Sequence, residues 1–348
     1  MDLKNNLNKE FFNNNSIKLI KDKDFSKLYL LKYIKSDDDD VNRFNNPAIR
    51  QARGIILENE TNKIICYGLD KFNKKPDTFN ISECQIEEAI DGTQIRLYYY
   101  NNEWNVTTAR CISAKKSKWN YVKTFYNLFE DVKHFIDYEK LNKKCTYTFI
   151  MRHIENRIIN NVKRNELIHI HTRDNETLLE IDSDIGVEKP KQYVFENYED
   201  FLKDLDQFDF ETKGYVVQCK SDRYMYHTKN YEEVKELKGN NLNSAYQYLE
   251  LLNNNNLDKY LEYFPESELK FNNVIRDIDE YCKEIHRLYL SKHVRKEQIQ
   301  IPNTYKDLLY KLHGKYLNER TIITLEVVKN YFYELPIGRI VFLLKNKQ

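Results

Sequence analysis

His169 and His171 alternate with Ile168 and Ile170, so both imidazoles fall on one face of a strand. Two histidines at i, i+2 can bind zinc, but no third ligand is spaced nearby, and the pair is read as structural. Asp37-Asp38-Asp39-Asp40 is an acidic run. Consecutive carboxylates without the spacing of a calcium loop rarely converge on an ion, so this run is read as a solvated turn. The six cysteines, Cys66, Cys84, Cys111, Cys145, Cys219 and Cys282, form no CxxC pair and no metal-ligand pattern. They predict reduced, buried thiols and a cytoplasmic setting. No metal site is expected. The remaining chemistry centres on Asp91-Gly92, in the stretch from Gln85 to Trp119 around which the chain is organised.

That stretch reads as a strand ending in Ala89-Ile90-Asp91-Gly92-Thr93, then a run from Gln94 to Tyr100, an Asn101-Asn102 turn, and a return run from Glu103 to Thr108, the last two forming a hairpin. Upstream, residues Met1 to Asn46 begin with an Asn-rich segment that is expected to be partly frayed, and Phe25 to Ile34 is expected to be a strand. A hairpin follows from Gln51-Ala52-Arg53-Gly54 to Tyr67-Gly68. From Trp119 to Phe135, Tyr121, Val122, Phe125, Leu128, Phe129, Val132 and Phe135 recur at helical spacing; this aromatic face could bind bases but is read as core. Another helix is expected over Tyr193 to Phe210. Beyond Tyr231 the pattern becomes helical, with stripes over Leu242 to Leu252, Phe271 to Leu290, Tyr305 to Leu317 and Thr321 to Leu335, and Pro265, Pro302 and Pro336 between them. Domains are therefore placed at 1–232 and 233–348.

Charge limits the partners. With Lys+Arg 55 against Asp+Glu 54, the net charge is +1 and any polyanion surface must be a local patch. Arg287, Lys292, His293, Arg295 and Lys296 could touch RNA but are read as a solvated helix face. No apolar run reaches the roughly 18 residues that span a bilayer, and Met1-Asp2-Leu3-Lys4-Asn5 is no signal peptide, so no membrane partner is expected.

Several motifs together resemble the RNA ligase family of the phage tRNA-repair type, within the nucleotidyltransferase superfamily. Arg53-Gly54 on a strand, then Lys71-Phe72-Asn73, match that family in order and spacing. Phe149-Ile150-Met151-Arg152-His153-Ile154-Glu155-Asn156-Arg157-Ile158-Ile159 is similar to Phe-Glu-x-x-x-Pro-x-Asn-Arg-Ile-Val, and Arg173-Asp174-Asn175-Glu176-Thr177 follows as it does there. Lys213-Gly214-Tyr215-Val216 and Lys220-Ser221-Asp222-Arg223-Tyr224 look like the last two motifs, Glu-Gly-hydrophobic-Val, a hairpin, and Lys-x-Lys-Ser-x-x-Tyr, with the hairpin shortened or lost. The resemblance implies an α+β fold: an N-terminal nucleotidyltransferase domain of ATP-grasp-like antiparallel sheets with helices, then an all-helical C-terminal domain. It covers most of the first 230 residues.

The family's Lys-x-Asp-Gly lysine attacks a nucleotide α-phosphate, but the aligned residue is Ala89, and a methyl group cannot form a phosphoramidate. Its two carboxylates fall on Ile150 and Lys213. The resemblance thus implies a noncatalytic pseudo-ligase that binds RNA, an RNA end or a nucleotide through Arg53, Gly54, Lys71, Asp91, Gly92, Asn156, Arg157, Lys213 and Lys220. No cofactor is certain, and ATP with Mg²⁺ would be implied if ligase chemistry held. Two other readings stay open: an active ATP-dependent RNA ligase, with a Lys-to-Ala change at 89 or a relocated Lys71, Lys74 or Lys75, and a scaffold binding a protein partner through its helical domain.

Overall fold

Strand-type alternation builds three antiparallel sheets, and helical spacing builds the C-terminal region. The computed structural model describes residues 9–34, 44–119, 122–241 and 243–346; the acidic run Asp37-Asp38-Asp39-Asp40 lies outside them. The chain divides into two units, Met1–Glu233 and Val234–Gln348.

The first sheet has the order β1 (Ile17–Lys21), β2 (Leu28–Tyr33), β3 (Arg53–Glu58), β4 (Ile64–Cys66). Its central strands carry the uninterrupted apolar runs Leu28–Leu31 and Ile55–Leu57 because both faces are covered there. Tyr29, Leu31, Ile55 and Leu57 pack with Phe11 on α1 (Lys9–Asn14) and Ala48 on α2 (Pro47–Gln51). Leu28, Leu30 and Ile56 pack against Tyr98 and Ile112.

The stretch from Gln85 to Trp119 is shared between the other two sheets. β5 (Cys84–Glu88) belongs to one, while β6 (Thr93–Tyr100) and β7 (Glu103–Thr107) belong to the other, so residues 89–92 carry the chain from sheet to sheet. Asn101 and Asn102 both take positive φ, 52° and 61°, as a two-residue hairpin turn with right-handed strand twist requires. The second sheet continues through β8 (Cys145–Arg152), β9 (Glu166–Asp174) and β10 (Glu180–Ile181), in the order β10-β9-β8-β6-β7. The third is completed by β11 (Gln192–Tyr193), β12 (Gly214–Cys219) and β13 (Asp222–His227), in the order β11-β5-β12-β13.

Two expected helices are shorter than their apolar spacing implied. Among the described residues of the span from Trp119 to Phe135, the α-helix is Phe125–Glu130 (α3), followed by a 3₁₀ turn at Lys133–Phe135, because Thr124 and Asn127 form a reciprocal capping box that starts the helix there. Val122 is 88% exposed, outside the stripe. Asn197 likewise caps α4 (Tyr198–Gln207), and Gln192–Tyr193 before it is strand. Phe201 and Leu205 of α4 cover Ile86, Tyr215 and Val217 on one face of the third sheet.

The boundary between the units falls within α5 (Lys229–Lys238). Beyond it lie α6 (Ser244–Asn253), α7 (Leu257–Tyr263), α8 (Glu268–Tyr289), α9 (Asn303–Glu319), α10 (Leu325–Tyr333) and α11 (Ile337–Lys345). α8 buries Phe271, Val274, Ile278, Tyr281, Cys282, Ile285 and Leu288, a 3.6-residue stripe. The architecture is α+β, with antiparallel sheets and helices followed by a helical C-terminal region. Among the described residues, no helix is long and apolar enough to cross a membrane.

Candidate functional site

The crossing segment that follows β5 is held by one carboxylate. Asp91 is 4% exposed. Its Oδ2 accepts the backbone N–H groups of Ile159 (2.8 Å) and Asn160 (3.0 Å), and its Oδ1 accepts the Tyr231 hydroxyl (2.7 Å). A single side chain therefore ties together three distant pieces: the crossover, the Asn156-Arg157 loop and the start of α5. Asn156 adds a bond from its Nδ2 to Thr93 Oγ1 at 2.7 Å, and Arg157 Nε donates to the Ile159 carbonyl at 2.9 Å. Among the described residues, the buried amide oxygens of Asn156 and Asn160 have no hydrogen-bond donor. Ala89, 3% exposed, continues the β5–β12 ladder by donating its N–H to Gly214 O at 2.9 Å, and Lys213 Nζ donates to Ile90 O at 3.1 Å.

Asp91, Gly92, Asn156, Arg157 and Lys213 thus gather around the crossover, with Ala89 and Ile150. A Cβ on Gly92 would stand 2.6 Å from Ile150 Cγ2, so the alkyl group at 150 fills the space beside that glycine.

Other sequence-derived residues are engaged elsewhere. Gly54 O accepts Arg96 Nη1 at 2.6 Å, and Arg96 Nη2 donates to Thr108 O at 2.7 Å, so this buried guanidinium joins the first sheet to the second. Arg53 Nη1 donates to Asp70 O at 3.3 Å, and burial lowers the Arg53 pKa. Lys71 Nζ lies 3.1 Å from the Phe44 ring centre. Lys75 Nζ lies over the Tyr226 ring at 5.1 Å. Glu88, Tyr215 and Tyr226 stand in register on the face that α4 covers, and the next residue, Ala89, faces the other way. Lys75 is therefore on the wrong side of the sheet to replace an amine at 89.

Lys220 needs a larger correction. The hairpin expected to be shortened or lost is present as β12–β13, and Lys220 sits in its turn with φ +57°, its side chain 82% exposed and 3.2 Å from Glu83. That turn is the far end of β12 from Gly214, roughly 20 Å at the usual strand rise. The residues that close the hairpin, Met225-Tyr226-His227-Thr228-Lys229-Asn230-Tyr231, have the spacing of Lys-x-Lys-Ser-x-x-Tyr, with Tyr231 in the place of the last tyrosine and on Asp91. Sequence reasoning missed Tyr231; its signal was the Thr228-to-Tyr231 spacing. It also missed Arg96, a lone cation between Ile95 and Leu97 in a buried strand.

A second polar cluster joins the second and third sheets. Glu180 on β10 lies 3.0 Å from Arg173 Nη2, 3.1 Å from Arg223 Nη2 and 3.2 Å from His171 Nε2. Burial raises the Glu180 pKa, but His171, Arg223 and Arg173 outweigh it and hold the carboxyl down to about 2. Burial pushes His171 down to about 4 against the pull of Glu180, so at pH 7 the lasting charge partners of Glu180 are the two arginines. His169, bonded to Thr172 Oγ1 at 2.8 Å, is also pushed down to about 4, by burial and then by Lys189. Among the described residues, no group of three or more His, Cys, Asp or Glu could hold a metal ion. The cysteine expectation is corrected: Cys84 and Cys219, 135 residues apart, face each other across β5 and β12 as a disulfide. Cys66, Cys145 and Cys282 are buried thiols.

These histidines give the fold an acid limit. The unfolded chain, with histidine near 6.5, binds protons before the folded chain does, so stability is fully present above pH 6.5 and falls as pH drops toward 4. His169 alone is expected to remove about 2 kcal/mol between pH 7 and pH 5. Urea midpoints at pH 7, 6 and 5 check this, and a flat profile contradicts it.

No protein-family model matches the chain. It is similar to the immediate-early protein ICP-46 homolog of Invertebrate iridescent virus 6, with 24% identity over 318 residues, 79% of this chain and 69% of that protein. It is 26% identical over 232 residues to the ICP-46 homolog of Invertebrate iridescent virus 3, covering 58% of this chain and 51% of that one, so it spans about half of that relative's length. Among solved structures, a putative ATP-dependent DNA ligase from Aquifex aeolicus shares 14% identity at a TM-score of 0.45, with 90% of this chain and 80% of that chain covered. An archaeal ATP-dependent RNA ligase shares 10% identity at a TM-score of 0.45, with 77% and 78% covered. Likeness at this level leaves the chemistry to be argued from the chain's own residues.

Proposed function

We propose that this chain is an RNA ligase-like nucleotidyltransferase module without covalent chemistry, which binds RNA ends or nucleotide at the crossover. One observation carries the reading. Each position where the resembled family places a reacting amine, a carboxylate or a phosphate-neutralising lysine holds something else: Ala89, Ile150, Lys213 and, after the β12–β13 hairpin, Met225 and His227. A lone change at 89 could be a simple loss of the nucleophile. Five changes of chemical kind point to a site released from catalysis.

The Mg²⁺ that the resemblance would imply alongside ATP does not fit the donor set. Both oxygens of Asp91 are committed to protein donors, and a cation stands at 213 where a metal-holding carboxylate is required. Lys213 repels a divalent ion and attracts a phosphate. The unpartnered acceptors of Asn156 and Asn160 suit ligand hydroxyl or amino donors.

Binding is tested by anisotropy of labelled single-stranded RNA, with and without a 5′-phosphate, across a salt series containing EDTA. The expected result is chelator-independent binding that weakens with salt, at a log–log slope of about 0.7 per phosphate neutralised. Lys213→Ala is expected to weaken it roughly tenfold, about 1.5 kcal/mol for a charge-assisted contact. Absence of binding to RNA and to ATP at low salt would remove this reading and leave the protein scaffold.

A further inference from the structure

Away from the crossover, the outer edge of the second sheet carries a cavity of about 430 Å³, walled by Trp104 on β7, Tyr126 and Phe129 on α3, and Tyr138. Trp104, Tyr126 and Tyr138 are only partly buried although they adjoin the main core cluster. The Trp104 and Tyr138 rings are 6.3 Å apart and tilted by 52°, so neither covers the other's face. The basic character of the chain also concentrates here: residues 109–144 contain nine Lys or Arg against four Asp or Glu, in a chain whose net charge is +1. Glu130, Lys133 and His134 line the cavity, and two further lysines of this segment stand over aromatic rings at or next to it. Lys115 Nζ lies 4.8 Å from the Tyr126 ring centre, and Lys143 Nζ lies 4.8 Å from that of Tyr99, which packs edge-on against Trp104 at 5.3 Å. Neither lysine forms a salt bridge among the described residues, and the rim carboxylate Glu130 is bound by Lys133 at 2.6 Å.

The geometry points to this cavity as a stacking site for an unpaired base of single-stranded nucleic acid, with Lys115 and Lys143 receiving the phosphates on either side. The inference rests on the RNA-binding reading above and extends the binding track beyond the crossover. A flat aromatic wall beside two lysines that form no salt bridge among the described residues, although Lys115 lies close enough to Glu130 to help lower its pKa, matches a ligand that is flat in the middle and anionic at both ends. Base stacking on aromatic side chains is sequence-tolerant, because every base offers a π-face. The helical spacing of the segment explains its burial through Leu128, Phe129 and Val132, while Tyr126, its hydroxyl bonded to Glu130, keeps its ring on an open pocket that Lys133 and His134 also line.

The chain has two tryptophans, so Trp119→Phe leaves Trp104 as the sole indole reporter. That protein is titrated with a 12-nucleotide oligouridylate, its deoxy counterpart and an abasic sugar-phosphate strand of equal length. Saturable quenching of Trp104 emission is expected from the RNA, with the DNA arm showing whether the sugar matters, and none is expected from the abasic strand. Trp104→Leu is expected to weaken binding of a labelled RNA about 5- to 150-fold by anisotropy, whereas Trp104→Phe retains most of it. Replacing Lys115 and Lys143 together by alanine should reduce the salt slope by about 1.4. Undiminished affinity in Trp104→Leu, or equal quenching by the abasic strand, overturns the stacking site while leaving RNA binding in place. No strand binding at all overturns both readings.

Discussion

Replacing Asp91 with alanine is expected to destabilise the protein by about 4 kcal/mol, more than any surface substitution, because it strands three buried donors at once. The Ile159 and Asn160 amides and the Tyr231 hydroxyl converge on that carboxylate at 2.7–3.0 Å in a site shielded from water. Each buried donor left without an acceptor costs roughly 1–3 kcal/mol, and partial relaxation keeps the sum below simple addition. Asp91→Asn retains one acceptor oxygen and turns an amide donor toward an existing donor, so about 2 kcal/mol is expected. Tyr231→Phe removes one donor and leaves the carboxylate its two backbone partners, so about 1 kcal/mol is expected. Urea unfolding of the three variants ranks them. An Asp91→Ala protein that unfolds at the wild-type midpoint would mean that Asp91 is not the tie that the geometry describes.

Gly214→Ala is expected to prevent the third sheet from forming as it stands. Gly214 takes φ +123°, a region open to glycine and strained for any other residue. A Cβ there would lie 2.0 Å from Tyr226 O and 2.9 Å from His227 Cα, both backbone atoms of the paired strand that cannot swing aside. The β12–β13 ladder would have to open at the end that adjoins Ala89 and Lys213. A cost above about 4 kcal/mol is expected, read as loss of soluble folded protein or a collapsed melting temperature. Gly338 provides the control. It lies in α11, where an added methyl group would meet nothing within 4 Å, and Gly338→Ala should stabilise by about 0.5–1 kcal/mol.

Much of this fold was legible because local signals agreed. The strands around Asn101-Asn102 and the long stripe of α8 each combine one clear period with appropriate turn chemistry. Less was legible where the deciding interaction is distant. Nothing local places β5 and β6 in different sheets, and a 135-residue separation conceals that Cys84 faces Cys219. Helical spacing from Trp119 to Phe135 continued past the point where Thr124 caps the chain, so period without cap chemistry overstated the helix. Lys220-Ser221 resembled the family's last motif but sits in a two-residue turn, while Tyr231, three residues after Thr228 and one strand later, makes the contact with Asp91. The change of residue kind at 89, 150 and 213 was visible in the sequence itself. Whether their neighbours supply substitutes required the fold, which turns Lys75 to the opposite face of the sheet and Lys71 onto Phe44.

The most direct test of lost covalent chemistry is nucleotide transfer to the protein. The unaltered chain and Ala89→Lys are incubated with α-labelled ATP or GTP and Mg²⁺ or Mn²⁺, then run on a denaturing gel. No label is expected on either, since Ala89→Lys restores the amine but leaves Ile150, Lys213, Met225 and His227 in place. Label on Ala89→Lys alone would contradict the account by showing that only the nucleophile is missing, and label on the unaltered chain would show that another residue has taken over its chemistry.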